Sequence, residues 1–204
     1  MKLNYSGTGS LTPFPHTIVE NLVSPETVKK INDQWPMKWE QESGRFTKKW
    51  NTQYLPQAAR EVIDSINIAE IEQATGIDNL IADPDLYGAG LHCIPRGGFL
   101  KMHCDFNYHP NGWRRRVNVL IYLNQNWHDD WGGHLILSKS HKPEGVEIAP
   151  VGGRCVIFET NDKSWHGHPE PLACPESVQR RSLALYFYTN DSDGQEPRST
   201  VYKK

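Results

Sequence analysis

The first third of the chain carries apolar residues at helical spacing. Val28, Ile31 and Trp35 lie on one face of a predicted helix. Ser24 is a good N-cap residue for this helix, and Pro36 ends the apolar pattern. The pattern therefore predicts a short amphipathic helix between these two residues.

A second helix is predicted from about Pro56 to Gly76. Its apolar positions also repeat at helical spacing: Ala59, Val62, Ile63, Ile66 and Ala69. Each of the two helices has one apolar stripe, so both are expected to pack on the outside of another layer.

The pattern changes at about Leu86, where short β-rich segments alternate with Gly, Pro and Asn. The predicted strands are 86–94, 99–103, 115–124, 134–137, 146–149, 154–159 and 181–189. Several short strands without helices between them predict an antiparallel sandwich or barrel. The polar tail after Asn190 is expected to fray.

The last predicted strand separates two kinds of side chain. Period-two alternation puts one apolar row on the first face, and smaller or hydroxylated residues on the second. The first face carries Arg181, Leu183, Leu185 and Phe187, and the second carries Ser182, Ala184, Tyr186 and Tyr188. Arg181 thus ends the apolar row, where a guanidinium favours a bound anion. Arg180 points the opposite way and is the less favoured anion ligand.

Composition restricts the class of protein. The chain has 204 residues, 37% of them hydrophobic, and a net charge of −2. These values fit one folded domain and indicate neither disorder nor a nucleic-acid partner. Since no apolar run is long enough for a membrane span or a secretory signal, the sequence predicts a soluble cytoplasmic protein. The 4 cysteines lack C-x-x-C spacing and are expected to be free thiols.

Three residues form a candidate metal site. His103 and Asp105 are two positions apart, so they face the same side of an extended strand, and His166 follows far downstream. Two imidazoles and one carboxylate leave half of the coordination sphere open, which suits ferrous iron in an oxygenase. An H-x-D pair alone is weak evidence in a chain with 9 histidines. For His92, His128 and His141, a surface or structural role is favoured.

The segments around these three residues carry a more specific pattern. In chain order they are Pro-Arg-Gly-Gly-Phe-Leu at 95–100, Tyr-Leu-Asn at 122–124, Trp-Gly-Gly-His-Leu at 131–135, Gly-Gly-Arg-Cys-Val-Ile-Phe at 152–158 and Trp-His-Gly at 165–167. Together with the triad, this set resembles the iron(II)- and 2-oxoglutarate-dependent dioxygenases of the prolyl-4-hydroxylase-like branch. The resemblance covers about residues 86–189.

The resemblance implies a fold and a site. The fold is mainly β, a double-stranded β-helix (a cupin-like jelly roll) over about 86–190, supported by N-terminal helices within about 1–80 of a single domain, 1–204. His103, Asp105 and His166 match the iron ligands. Arg181 matches the residue that pairs with the distal carboxylate of 2-oxoglutarate, and Tyr122 matches a tyrosine that binds the same carboxylate. Ile94 stands where many relatives have a further tyrosine.

The implied reaction hydroxylates a C–H bond with Fe(II), 2-oxoglutarate and O2, and it releases succinate and CO2. Ascorbate is an expected helper. By family branch the leading substrate is a peptidyl proline. Other protein side chains, free amino acids and a glycan precursor stay open as substrates.

Two further alternatives stay open. A non-catalytic jelly-roll module would use the same cluster as a closed structural zinc site. The loop 106–113, directly after the metal pair, is either a lid over the substrate or an ordinary hairpin connection.

Overall fold

The computed structural model describes residues 2–44 and 46–202, without the side chains of residues 40–44. Three α-helices are present: α1 (Pro25–Asp33), α2 (Gln57–Asp64) and α3 (Ile68–Thr75). The strands are β1 (Gly7–Ser10), β2 (His16–Val19), β3 (Glu40–Gly44), β4 (Thr47–Thr52), β5 (Ile81–Ala82), β6 (Gly90–Ile94), β7 (Leu100–Cys104), β8 (Arg114–Tyr122), β9 (Leu135–Ser138), β10 (Val146–Ile148), β11 (Cys155–Glu159), β12 (Trp165–His168), β13 (Arg180–Thr189) and β14 (Val201–Tyr202).

Within the described residues the strands form one curled antiparallel sheet. Its order is β1-β2-β11-β8-β13-β6-β4-β7-β12-β9-β10. This order has two parts, a larger wall β1-β2-β11-β8-β13-β6 and a smaller wall β7-β12-β9-β10. Strand β4 joins the two walls, because it pairs with β6 on one side and reaches β7 through Thr47 and Leu100 on the other. The curled sheet confirms the predicted jelly roll.

The helices cover the outer face of the larger wall. Val28 and Ile31 of α1 and Ile71 of α3 are fully buried, in one cluster with Leu183 and Leu185 of β13. The Ser24 hydroxyl caps α1 by accepting a hydrogen bond from the Thr27 amide at 3.2 Å. The prediction that the helices pack on the outside is therefore confirmed.

The predicted helix 56–76 is wrong in its continuity, because the segment forms two helices, α2 and α3. The break lies at Asn67, whose side chain accepts a hydrogen bond from the Ala69 amide at 3.1 Å and caps α3. Apolar spacing did not reveal this break, since the apolar stripe continues across it.

The expectation of a helical first third is incomplete, because strands β1 to β4 also lie there. Apolar periodicity does not predict these strands, because they are short and largely polar: β4 reads Thr-Lys-Lys-Trp-Asn-Thr, and β1 is exposed along its length. Their role is to extend the sheet and to link its two walls.

The tail after Asn190 was expected to fray, but it contains strand β14. Strand β14 pairs with β7, which sets Tyr202 opposite His103. Arg198 anchors the preceding segment by donating to the backbone oxygen of Asp105 at 2.6 Å. The C-terminal segment therefore borders the predicted metal site.

Cys93, Cys104, Cys155 and Cys174 are all free, as predicted, and the structure buries all of them. Among the described residues, no helix combines the length and apolar character that a membrane crossing requires.

Because α3 contributes a fully buried side chain to the outer cluster, we expect Ile71→Ala to lower the free energy of unfolding by about 2–5 kcal/mol. Urea denaturation measures this change. Met37→Ala is the control, since the Met37 side chain is 96% exposed and its truncation leaves no cavity. Equal stability of the two variants would contradict the packing described for α3.

Candidate active site

The pairing of β7 with β12 brings the two predicted histidine ligands together. His103 and His166 are direct cross-strand partners, and their ring centroids lie 4.2 Å apart. Asp105 follows one residue after β7 ends, so the chain turns its carboxylate toward both rings. The structure therefore assembles all three residues of the predicted triad.

The triad has distances suited to one ion. Asp105 Oδ1 lies 3.5 Å from His103 Nε2, and Asp105 Oδ2 lies 3.3 Å from His166 Nε2. Ligand atoms bound to one first-row metal at right angles are separated by about 3 Å, given metal–ligand bonds of about 2.0–2.2 Å. The three side chains thus offer one face of a metal site.

The histidine rings are oriented by the backbone. His103 Nδ1 bonds the Lys101 carbonyl at 2.8 Å, and His166 Nδ1 bonds the Ser164 carbonyl at 2.9 Å. A carbonyl only accepts, so each Nδ1 carries the proton and each Nε2 presents a lone pair to the metal. Burial, and then the neighbouring His166, lower the pKa of His103, which keeps its ring neutral.

Asp105 is held as a carboxylate by two side chains that the sequence search missed. Arg115 NH2 lies 3.0 Å from Asp105 Oδ2, and Asn118 Nδ2 donates to the same oxygen at 2.7 Å. Burial alone would raise the pKa of Asp105. The positive charge of Arg115 opposes the effect of burial, and the pKa of Asp105 lies well below its usual range.

Arg115 reaches the site because β8 departs from strict alternation. The register with β13 shifts, so that Phe187 pairs with Val117 while Tyr188 pairs with Arg115. The extra residue, Arg116, lets Arg115 share the inner face with Asn118. Strict alternation along β8 would place Arg116 on that face instead, and no sequence signal marks the shift.

A cavity of about 70 Å³ leads inward from the triad to Arg180. Arg180 is 5% exposed; its Nε donates to the Gly133 carbonyl at 2.7 Å, and its NH2 lies 3.5 Å from the Tyr122 hydroxyl. No carboxylate of the described side chains lies within 4.0 Å of it. A buried cation in this setting favours an anionic ligand. Tyr122 lines the cavity as well.

The structure does not bring Arg181 to this cavity, so its predicted position is wrong. Arg181 is half-buried on the opposite side of β13, where NH1 donates to Asn32 Oδ1 at 2.6 Å and the guanidinium covers the Trp35 ring at 4.5 Å. Asn32 also donates to the Leu123 carbonyl at 2.8 Å. Arg181 therefore ties α1 to the sheet.

The alternation along β13 was correct, but the wrong face was assigned to the site. The apolar row led by Arg181 packs beneath the helices, whereas Ser182 and Tyr186 line the cavity together with Arg180. The pairing of Ser182 with Tyr122 shows that Tyr122 and Arg181 face opposite sides of the sheet. The prediction of Arg181 assumed that the apolar row faces the site, whereas in the structure this row faces the helices.

Two further histidines line the same cavity, His92 and His168. The structure places His92 in the cavity wall, with its Nε2 atom buried and without a hydrogen-bond partner among the described residues. His168 was not considered in the sequence, although its spacing from His166 puts both rings on one side of β12. That spacing was the available signal.

These features fit the groups that the resemblance implies. Two neutral imidazoles and a carboxylate suit Fe(II) and leave open positions. The buried arginine and the buried histidine nitrogens without protein partners suit a polar anion that reaches inward from the metal. A 2-oxoglutarate molecule has both a chelating end and a distal carboxylate.

A wider cavity of about 410 Å³ opens on the other side of the triad. Its lining includes Lys49, Asn51, Tyr87, Phe106 and Tyr202. A second, more open cavity of about 680 Å³ continues outward and shares Tyr87, Phe106 and Thr200 with the first. Together they form a groove that runs from the metal ligands to the surface.

The loop 106–113 forms one side of this groove. Its backbone closes as a hairpin, with hydrogen bonds from His109 to Trp113 and from Gly112 to His109, both 2.8 Å long. The Tyr108 hydroxyl donates to Asp193 at 3.0 Å. These contacts favour the hairpin interpretation, while the position of the loop still lets it border a substrate.

Since Asn118 fixes the carboxylate of Asp105, we expect Asn118→Ala to weaken metal binding about 10- to 100-fold. Calorimetric titration of the metal-free protein with Ni²⁺ measures the affinity. Asn190→Ala, at an exposed residue outside the site, is the control. Unchanged metal affinity in Asn118→Ala would exclude the proposed support of Asp105.

The chain matches one family model, described as the 2OG-Fe(II) oxygenase superfamily, over residues 89–188. This match includes the triad and Arg180. No curated protein is significantly similar to the chain in sequence.

Solved structures share the fold at low identity. A Pseudomonas putida prolyl-4-hydroxylase is 16% identical with a TM-score of 0.62, covering 86% of this chain and 93% of that one. A Trichoplax adhaerens prolyl hydroxylase, in complex with a hypoxia-inducible-factor peptide fragment, is 20% identical with a TM-score of 0.58, covering 85% and 83%.

HygX from Streptomyces hygroscopicus, with nickel, 2-oxoglutarate and hygromycin B bound, is 13% identical with a TM-score of 0.60, covering 86% of this chain and 83% of that one. At these identities the three likenesses show the shared jelly roll. With the resemblance in the motifs, the family match identifies residues 89–188 as similar to the 2OG-Fe(II) oxygenase superfamily, whose cofactors are Fe(II) and 2-oxoglutarate.

Proposed function

We propose that this protein hydroxylates a C–H bond of a peptidyl proline, with His103, Asp105 and His166 as the iron ligands. The observation that carries the proposal is the triad itself, in which both Nε2 atoms lie within 3.5 Å of the Asp105 carboxylate and a buried arginine lines the adjoining cavity. Bound iron would supply the activation of dioxygen, coupled to oxidative decarboxylation of the keto acid to succinate and CO2.

The residues around the metal set its coordination. The backbone carbonyls of Lys101 and Ser164 hold the Nδ1 protons, so the two imidazoles bind as neutral ligands. Asn118 and Arg115 keep the Asp105 carboxylate ionised and oriented. The three residues that would hold the metal lie on β7, on β12 and in the turn directly after β7, and both cavities are lined by His103 and Asp105.

Arg180 and Tyr122 are proposed to bind the distal carboxylate of 2-oxoglutarate. Arg180 takes the role that the sequence assigned to Arg181, because it is the arginine that lines the inner cavity. Its Nε is occupied by the Gly133 carbonyl, which fixes the plane of the guanidinium. The remaining nitrogens can form the paired hydrogen bonds that arginine makes with a carboxylate.

The shape and lining of the outer groove support a peptide as substrate. The two connected cavities extend from the metal ligands past Tyr87 and Phe106 to Tyr108 and Pro197. A groove with aromatic walls suits an extended proline-containing segment, whose backbone is pre-ordered. The Trichoplax adhaerens relative of similar fold carries a peptide fragment, which agrees with this choice.

A small polar molecule is the second candidate substrate. The cavity next to the metal is lined by Lys49, Asn51, Gln53 and Arg115, which can hydrogen-bond a hydroxylated or charged compound. HygX, of similar fold, has hygromycin B bound. The two candidates differ in whether the outer cavity is needed for turnover.

A non-catalytic zinc module is disfavoured by the inner cavity. A closed structural site would use four protein ligands. Among the described residues the cluster offers three, and a buried arginine lies behind it without a carboxylate partner. Such an arrangement serves a cosubstrate better than a structural metal.

We expect iron-loaded protein to form succinate from 2-oxoglutarate and O2, and to add one oxygen atom to proline-containing peptides. Succinate assays and mass spectrometry of a panel of peptides and small molecules measure the two products. Asp105→Ala is the inactive control, because loss of the carboxylate removes one metal ligand. Oxygen added only to small molecules would select the second candidate, and absence of both succinate formation and 2-oxoglutarate binding would contradict the oxygenase proposal.

Exchanging the two neighbouring arginines for methionine tests which of them binds the cosubstrate. We expect Arg180→Met to weaken 2-oxoglutarate binding about a hundredfold or more, since it leaves a buried carboxylate unpaired. Arg181→Met should bind 2-oxoglutarate as wild type but lose about 1–3 kcal/mol of stability, because its hydrogen bond to Asn32 is lost. Calorimetry on the nickel-loaded protein and urea unfolding separate the two effects. The reverse pattern would restore Arg181 as the carboxylate ligand.

A further inference from the structure

His168 is a buried side chain for which the protein itself supplies no hydrogen-bond partner. The residue is 3% exposed at the end of β12, and both Nδ1 and Nε2 are buried without a partner among the described residues. A buried imidazole with both nitrogens unpaired is unfavourable, since it has lost its hydrogen bonds to water without replacing them. Such an atom in a native fold calls for a ligand or an ordered water.

The His168 ring lies in the wall of the inner cavity. His168 lines the inner cavity with Arg180 and Tyr122 at one end and with His103 and His166 at the other. An imidazole carries at least one ring N–H in either tautomer, so His168 has a hydrogen bond to donate into the cavity.

Strand β12 places His166 and His168 on the same side of the sheet. Two residues along a strand span about 6.6 Å, a distance that an extended five-carbon diacid also covers. Gly167 between them lies so close to β7 that an added Cβ would meet the Leu100 carbonyl oxygen at 2.7 Å. One strand thus presents a ring to the metal and a second ring to the far end of the cavity.

His92, in the same cavity, is a weaker candidate. Its ring already forms a hydrogen bond with the backbone of Gly88 that favours the protonated ring, which marks the ring as the donor. The buried Nε2 atom is then the lone-pair nitrogen of the neutral ring and cannot donate to a carboxylate. His168 has no such restriction.

We propose that His168 is a third ligand of the distal carboxylate of 2-oxoglutarate, donating its ring N–H alongside Arg180 and Tyr122. The inference rests on the proposed function. It adds an imidazole donor, from the strand that also carries a metal ligand, to the guanidinium and phenol donors. The rival explanation is that ordered water satisfies the ring and that His168 only fills space.

Two keto acids and three variants test this proposal on nickel-loaded protein. 2-Oxoglutarate and 2-oxopentanoate share the chelating end, but 2-oxopentanoate has a methyl group in place of the distal carboxylate. We expect His168→Leu to raise the Kd of 2-oxoglutarate about 10- to 100-fold, as for the loss of one hydrogen bond to a charged group, and to leave that of 2-oxopentanoate unchanged. His168→Gln, which retains a donor, should recover part of the affinity.

His16→Leu is the matched control, because His16 is a buried histidine whose Nδ1 bonds the Phe14 carbonyl, outside the inner cavity. It should bind both keto acids as wild type does. Nickel affinity is measured for every variant, so that a disturbed metal site is recognised separately.

The outcomes separate the inference from the function on which it rests. Unchanged 2-oxoglutarate affinity in His168→Leu, or equal weakening of both keto acids, overturns the role of His168 while wild-type binding keeps the oxygenase proposal intact. Failure of the wild-type protein to bind 2-oxoglutarate overturns both. If His168→Leu does not fold, the ¹⁵N shifts of the wild-type imidazole decide. A shift on adding 2-oxoglutarate but not 2-oxopentanoate supports the contact, and identical shifts exclude it.

Discussion

The antiparallel pairing of β7 with β12 is the constraint on which the rest of the site depends. It sets His103 directly opposite His166 and leaves Asp105 at the first turn beyond the strand end. The neighbouring strands continue this constraint, since β9 pairs with β12 and β14 pairs with β7. A metal site built from a strand ladder has fixed ligand spacing before any ion binds, because the backbone hydrogen bonds set the distance between the rings.

Buried positive charge organises the space around the ladder. Arg115 is matched by Asp105 and stacked between the rings of Phe106 and Tyr186, so its charge orients a metal ligand. Arg180 has only neutral partners among the described residues, a carbonyl and a phenol. The difference assigns the two cations different tasks, because a buried guanidinium with a carboxylate partner is structural support, whereas one with neutral partners favours an anionic ligand.

The adjacent arginines at the start of β13 show how strand geometry divides function between neighbours. Arg181 points to the helices and bonds Asn32 of α1, and Arg180 points into the cavity. The apolar row beyond Arg181 belongs to the helix-covered core, while the inner face is lined by smaller and hydroxyl-bearing residues that leave room for a ligand. In a jelly roll with an internal site, the more apolar face of a strand is thus the outer one when helices cover it.

The sequence by itself determined the jelly roll, the outward packing of the helices, the free cysteines and the three residues that meet as the triad, because periodicity and ordered motifs are local properties of the chain. It could not decide between Arg180 and Arg181, since alternation defines two faces without saying which one encloses the cavity. Only the tertiary structure decided this, together with the inward turn of Arg115 at a register shift, the pairing of β14 beside His103 and the placement of His168. Each depends on which distant strand lies alongside, and that information is absent from the spacing of residues within one strand.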